Sequence, residues 1–321
     1  MRAIQVSEHG GPEVLRYTEV EEPSIGPDQL LVTTEAIGVN YIDTYIRTGT
    51  YPQPVPYVPG SEGTGVVSAV GSGVTEFAVG DRVAWASAPG SYAEQVAVPA
   101  AVAIPVPDGV DPPVAASALL QGMTAHYLLE SIYRPESGET VLVHAGAGGV
   151  GLILTQLATA RGARVITTVS SDEKEALSRE AGAAEVLRYG DDLADQVRKL
   201  TDGVGVAAVY DGVGKSTFDA SLASLRIRGT LALFGAASGP VPPFDPQRLN
   251  AGGSLFLTRP SLVHYTRDRA ELLWRAGDIL AALANGTLRI RVGASYPLAE
   301  AERAHRDLEG RKTTGSIVLL P

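Results

Sequence analysis

The sequence predicts an α/β chain of two domains, one rich in short β-strands and one a doubly wound parallel sheet inserted between its two parts. Three observations predict it. Short apolar runs broken by Gly, Pro and Asp fill residues 1 to about 105. From Asp111 onward strand and helix patterns alternate, which is the mark of a parallel sheet covered by helices. Beyond Pro260 short strand patterns return, so the tail rejoins the first domain. A length of 321 residues suits about two domains, each able to bury a core.

In chain order, Arg2–Val6, Gln29–Thr33, Gly65–Val70 and Arg82–Trp85 read as strands of a barrel or sandwich, with helical spacing only around Tyr41 to Thr48. Pro112 and Pro113 sit where a helix starts, and Ala115 to Ile132 is apolar with helical spacing. Val141–His144 reads as a strand followed by a glycine turn and a helix through Ala160. Strands at Arg164–Val169, Glu185–Arg188, Val206–Asp211 and Gly229–Phe234 alternate with helices at Asp172–Glu180, Leu193–Leu200 and Thr217–Leu225. A long helix over Arg269 to Ala284 precedes short strands at Arg289–Val292 and Gly315–Leu320.

Composition narrows the function. A formal charge of −10 argues against nucleic acid as the main partner. The absence of cysteine removes disulfides, catalytic thiols and thiolate metal ligands. The amino terminus has no apolar signal core and no run of eighteen or more apolar residues occurs, so a cytoplasmic protein off the membrane is expected.

The stretch HAGAGGVG over 144–151 is G-x-G-x-x-G between a strand and a helix, the context in which that motif holds a pyrophosphate. Gly146 is expected to permit the tight turn, Gly148 to let backbone approach the diphosphate, and Gly151 to let helix and strand pack. The amides that open the helix would then face the anion. Where an NAD-binding fold places an acid on the ribose, the second strand ends instead at Ser170-Ser171. Ser170 with Glu173 has capping-box spacing and Asp172 suits the helix dipole, so these acids have structural explanations. Lys174 works against that dipole; a 2′-phosphate accounts for it, the alternative being a solvated surface lysine paired with a nearby Glu. NADPH is therefore expected over NADH.

The chain resembles the zinc-independent quinone oxidoreductases, the ζ-crystallin type, of the medium-chain dehydrogenase/reductase superfamily. The resemblance rests on AIGVNYIDTYIRTGTYP (36–52), PGSEGTGVV (59–67), LLQGMTAHYLL (119–129), HAGAGGVG (144–151), VYDGVG (209–214), SLFLTRPSL (254–262) and KTTGSIVLL (312–320), in family order along nearly the whole chain. It implies a GroES-like β-barrel catalytic domain, residues 1–122 and 266–321, with an inserted Rossmann NADPH-binding domain, residues 123–265. It also implies that Thr124 meets the cofactor, that the turn Ala147, Gly148, Gly149 and Val150 holds the diphosphate, and that Ser171, Lys174 and Tyr189 surround the 2′-phosphate and adenosine. Phe234, Gly235 and Ala236 with Leu255, Phe256 and Leu257 would line the nicotinamide side, and Arg311 would reach in from the tail.

Zinc is not expected: Ser61 stands where the zinc enzymes resembled here carry His, and no cysteine is available. An acceptor that takes hydride without metal polarisation is then required, a quinone or an activated enone, held between the two domains. Asn40, Asp43, Tyr45 and Tyr51 are the candidate catalytic residues. Asn40 would hydrogen-bond a carbonyl, Asp43 would orient, and the two phenols would donate to a developing oxyanion and offer flat apolar faces. The Asn–Asp pair could equally brace the loop, and the tyrosines could be core. An NADPH-dependent enoyl or alkenal reductase on the same fold stays open, as does a cofactor-binding structural or RNA-binding ζ-crystallin-like protein. His144 and His126 show no metal or triad spacing, and His144 reads as a satisfied near-core histidine. The resemblance further implies a homodimer through the edge strand Ser254 to Thr258.

Overall fold

A computed structural model describes residues 1–321. The chain forms two compact units, one of Met1–Gln121, Asp268–Leu280 and Ile290–Pro321, the other of Gly122–Arg267 and Ala281–Arg289. No helix is long and apolar enough to cross a membrane.

The first unit is antiparallel for the most part. Its strands are β1 (Arg2–Gln5), β2 (Arg16–Glu19), β3 (Gln29–Val39), β4 (Glu62–Val70), β5 (Arg82–Trp85), β6 (Gln95–Pro99) and β7 (Ile104–Pro105), with helix α1 (Tyr41–Arg47) after β3. Helix α2 (Pro112–Tyr127) begins here and passes into a π-helical turn at Leu128–Ile132. Strand β3 organises the sheet, because its eleven residues alternate inward and outward along most of their length. One edge of β3 pairs throughout with β4; the other is shared by β6 along Gln29–Thr33 and by the carboxy-terminal strand along Ile37–Val39. Leu30, Val32, Val67, Phe77, Val83 and Trp85 make one core of this unit. Ile4, Ile37, Val39, Tyr92 and Leu298 belong to another.

The second unit follows the sequence expectation closely. Strands β8 (Thr140–Val143), β9 (Arg164–Val169), β10 (Glu185–Arg188), β11 (Val206–Asp211), β12 (Leu225–Leu233) and β13 (Phe256–Thr258) form one parallel sheet in the order β10-β9-β8-β11-β12-β13. Helices α3 (Gly149–Ala160), α4 (Asp172–Glu180), α5 (Leu193–Leu200), α6 (Phe218–Ser224) and α7 (Gln247–Ala251) connect them. This is the doubly wound order, whose switch point lies between β8 and β11, where ligands bind outside the carboxyl ends of the strands. The glycine turn follows β8 and stands at that point.

Helix α8 (Arg269–Ala284) has the expected bounds, and the tail adds β14 (Val292–Pro297), α9 (Ala301–Glu309) and β15 (Ser316–Leu320) to the first unit. The strand expected at Arg289–Val292 lies instead at Val292–Pro297. Val292, Ala294 and Tyr296 face inward in alternation with Gly293, Ser295 and Pro297, but only Tyr296 is fully buried and the residues between are small, so the apolar signal that announces a strand is weak. A Cβ at Gly293 would lie 1.7 Å from the Thr314 carbonyl oxygen, and this close backbone approach lets β14 join. The expected helix over Thr217–Leu225 stops at Ser224, and β12 starts at Leu225.

Candidate functional site

The turn after β8 is built by close contacts. The left-handed residue is Ala145, with φ 53°, and not Gly146 as the motif suggests. Gly146 is required for another reason: a Cβ there would lie 2.6 Å from Thr167 Cβ and 2.7 Å from Ser178 Oγ. Gly151 is equally constrained, since its Cβ would meet the Ala145 carbonyl oxygen at 2.2 Å. Gly148 differs, because its nearest neighbour would be 3.3 Å away and its φ of −80° suits any residue. It is the N-cap of α3, and no side chain caps that helix. The amides of Gly149, Val150 and Gly151 thus open α3 without a side-chain acceptor, the arrangement that receives an anion. Ala147 is buried beneath this turn.

Buried polar bonds fix the floor of the turn. Ser221 Oγ donates to Asp211 Oδ2 at 2.7 Å, so His144 Nε2 donates to Ser221 Oγ at 2.9 Å, and His144 Nδ1 accepts from Thr168 Oγ1 at 2.8 Å. Burial lowers the His144 pKa and keeps the ring neutral, as a satisfied near-core histidine requires. Asp211 also accepts from the amides of Val213 and Gly214, at 2.8 and 2.9 Å, and from Thr217. Its own carbonyl accepts from Phe234 N, so the Phe234–Gly235–Ala236 turn sits on the Gly212 loop. A Cβ on Gly235 would be 2.4 Å from the Gly212 oxygen.

At the tip of β9, the N-cap of α4 is Ser171, whose Oγ accepts from Lys174 N at 3.3 Å. The expected Ser170–Glu173 capping box is therefore shifted by one residue, and N3 is Lys174 in place of an acid. Tyr189 is brought to the glycine turn: its hydroxyl accepts from Ala145 N at 3.0 Å and its ring lies over His144 at 6.2 Å. Thr124 is buried in α2. Leu255 is buried in the sheet's core, and Phe256, Leu257 and Thr258 pair in register with Thr230, Leu231 and Ala232, the carboxyl half of β12 that leads to Phe234.

In the first unit, Asn40 caps α1, and its backbone amide donates to Asp43 Oδ2 at 2.9 Å. Asn40 Nδ2 donates to Glu62 Oε2 at 2.7 Å, while its Oδ1 accepts from Gln121 Nε2 at 3.2 Å, and Ser316 Oγ donates to Gln121 Oε1. Glu62 Oε1 accepts from the α2 amide of Leu120 at 2.7 Å. A second chain of bonds reaches Asp43 from the other side. Arg47 Nη1 donates to His305 Nδ1 at 3.1 Å, so His305 Nε2 donates to the Tyr92 hydroxyl, which donates to Asp43 Oδ2 at 3.0 Å. Burial beside Arg47 holds His305 down to about 3. Arg47, Tyr92, Gln121 and His305 are absent from the sequence expectations, because their partners are far apart in the chain. Tyr45 packs edge-on against Tyr51 at 5.5 Å and lies tilted against Tyr41 at 5.6 Å, and Tyr51 is 40% exposed. Arg311 is exposed with φ 56°, and its charge acts on the Tyr41 phenol.

Burial pushes Glu62 up to about 8 against the pull of Leu120 N and Asn40, and pushes Asp43 up to about 6. A carboxyl raised on folding stabilises fully below its unfolded pKa and loses that contribution as pH rises through the folded value. Glu62 should therefore weaken the fold as pH climbs from about 4.5 to about 8. Denaturant titrations at a series of pH values should show Glu62→Gln with a flatter slope than wild type across that window. Parallel slopes for the two proteins would contradict this account.

Residues 26–108 match the family described as alcohol dehydrogenase GroES-like domain, and residues 149–271 that described as zinc-binding dehydrogenase. The chain is 46% identical over 323 residues to a quinone oxidoreductase of Pseudomonas aeruginosa, covering 100% of this chain and 99% of that protein. It is 42% identical over 329 residues to a 2-haloacrylate reductase of a Burkholderia species, covering 99% and 98%. A mycobacterial protein solved with NADPH superposes with a TM-score of 0.98 at 61% identity over the full length of both chains. The donors in this chain do not fit the metal that the second description implies. Glu62 directs both oxygens at Asn40 and Leu120, Ser61 is the neighbouring side chain, and no three His, Cys, Asp or Glu side chains converge. With an inserted doubly wound domain, a GroES-like first unit and full-length similarity, the chain belongs to the quinone oxidoreductase family of medium-chain dehydrogenase/reductases.

Proposed function

We propose that this chain reduces quinones with NADPH and without zinc. The observation that carries the reading is the start of α3 after Gly148, where no side chain caps the helix, a backbone site for a diphosphate at the switch point of the sheet. The mycobacterial NADPH complex and the Pseudomonas quinone oxidoreductase support it by similarity. NADPH supplies the hydride. Residues 123–265 form the NADPH-binding domain in this reading, and 1–122 with 266–321 the catalytic domain.

Within it, the turn Gly146 to Gly151 binds the diphosphate, and Ser171, Lys174 and Tyr189 take the 2′-phosphate and adenosine. Thr124, the Phe234–Ala236 turn and the stretch Leu255 to Leu257 flank the nicotinamide, and Arg311 contributes a cation. Asn40 retains one amide hydrogen for a carbonyl oxygen. Asp43 orients it through the α1 cap, and Tyr45 and Tyr51 offer phenols and ring faces to a flat acceptor. The proposal includes a homodimer formed through β13, an edge strand with Phe256 60% exposed and Ile227 on β12 73% exposed. Light scattering that returns a monomer rejects that part.

Lys174→Ala should raise the KM for NADPH about tenfold or more and change that for NADH far less, since a charge-assisted contact contributes about 1.5–3 kcal/mol. Equal effects on both cofactors reject the assignment of Lys174. Steady-state NADPH oxidation with benzoquinone, naphthoquinones, alkenals and 2-haloacrylate tests the acceptor. The likeness to a 2-haloacrylate reductase favours a second reading, reduction of activated alkenes. Turnover with alkenes and none with quinones selects it over the first.

A further inference from the structure

We infer that Arg188 sets the preference for a 2′-phosphorylated dinucleotide by neutralising the carboxylates that surround Lys174. The inference rests on the NADPH reading above. Helix α4 opens with Asp172-Glu173-Lys174-Glu175, three acids around one lysine. Such a turn repels a phosphate dianion, and Lys174 alone leaves it net negative. Arg188 ends β10 in register with Val169, the last residue of β9, so it flanks the strand tip where this fold reads the ribose. Its Nη2 lies 2.6 Å from Asp172 Oδ1 and 2.8 Å from Glu175 Oε2. The other oxygen of Glu175 accepts from Arg179 at 2.9 Å. Arg188 alone bridges two of the three acids, and its Nη1 is buried with no hydrogen-bond partner.

The arrangement inverts the usual device. An NAD-binding fold places a carboxylate at this tip to hold the ribose hydroxyls. Here the nearest carboxylates are turned onto an arginine of the adjacent strand, which offsets the negative charge on either side of the lysine. Asp172 is fully exposed and Arg188 is 38% exposed, so the effect is partly screened and should shrink with salt.

Binding by the full-length protein tests this, read by NADPH and NADH fluorescence titration and by calorimetry with 2′,5′-ADP. Arg188→Gln should weaken NADPH and 2′,5′-ADP about five- to tenfold and NADH by less than about twofold. Adding Asp172→Asn and Glu175→Gln to that variant should restore NADPH to within about twofold of wild type, and Arg188→Lys should retain most of the preference. Equal weakening of NADPH and NADH, or a triple variant that stays weak, overturns the inference. Should Arg188→Gln fail to fold, Asp172→Asn with Glu175→Gln beside the native Arg188 should tighten 2′,5′-ADP, and unchanged affinity overturns the inference. A wild-type protein that binds NADH as tightly as NADPH removes the cofactor reading and this inference together. A wild type that prefers NADPH, with Lys174→Ala abolishing the preference and Arg188→Gln leaving it intact, removes this inference alone.

Discussion

Gly148→Val is expected to abolish NADPH binding in a protein that still folds. The backbone there has φ −80° and ψ 171°, which valine adopts readily, and the only atom near an added Cβ is the Ala145 oxygen at 3.3 Å. The new side chain projects over the first amides of α3. Displacing a diphosphate from two such amides forfeits about 1.5–3 kcal/mol each, so affinity should fall on the order of a hundredfold or more. The melting temperature should stay within a few degrees of wild type. Gly151→Val serves as the contrast, because its Cβ would sit 2.2 Å from the Ala145 oxygen and the backbone has to move. That variant should lose stability as well as binding. If Gly148→Val binds NADPH like wild type, the diphosphate lies elsewhere and the proposed function loses its main support.

Arg47→Met should destabilise the first unit by about 3 kcal/mol, the lower end of the cost of breaking a buried ion pair. Arg47 is 1% exposed and holds Glu309 through both of its terminal nitrogens, at 3.0 and 2.8 Å. It also donates to His305 Nδ1 and to the Gly10 carbonyl. Methionine matches the stem but leaves the Gly10 oxygen and the imidazole without their donor. The Glu309 side chain is 32% exposed and regains water, which is why the lower figure applies. His305 would then be free to turn, and the bond from its Nε2 through Tyr92 to Asp43 would no longer be directed. The readouts are a lower unfolding midpoint and a drop in kcat with little change in the KM for NADPH. Pairing Arg47→Met with Glu309→Leu should recover part of the stability, since the unpaired carboxylate is removed. An unfolding midpoint equal to wild type would show that the buried network does not hold α1.

The parts legible in the sequence are those whose determinants are local. In the second unit β9, α4, β10, α5 and β11 have the expected bounds, because each is an apolar run or stripe ended by Gly, Ser or Asp within a few residues. The first unit hides β2, whose four residues RYTE are polar and mostly outward, and β14, which joins its neighbour through a glycine. The glycine turn was visible as a motif, but its strained residue proved to be Ala145, since a spacing rule names the glycines and not the backbone angles. Arg188 was invisible as a partner of Asp172, and His305 as a partner of Arg47, because strand register and helix packing bring them together and no local spacing records either.

Strand β15 has a consequence for how the chain comes to be folded. Ile317, Val318 and Leu319 pair with Val39, Gly38 and Ile37, so the last three of the eleven residues of β3 wait along one edge for the carboxy-terminal residues. During synthesis the contiguous 122–267 stretch has nearly all its strand partners long before those residues leave the ribosome. The upstream sheet meanwhile presents an open apolar border to other nascent chains. A hold on that border by a chaperone, or its capture by a neighbour, is the characteristic hazard of a domain whose sequence is interrupted by another.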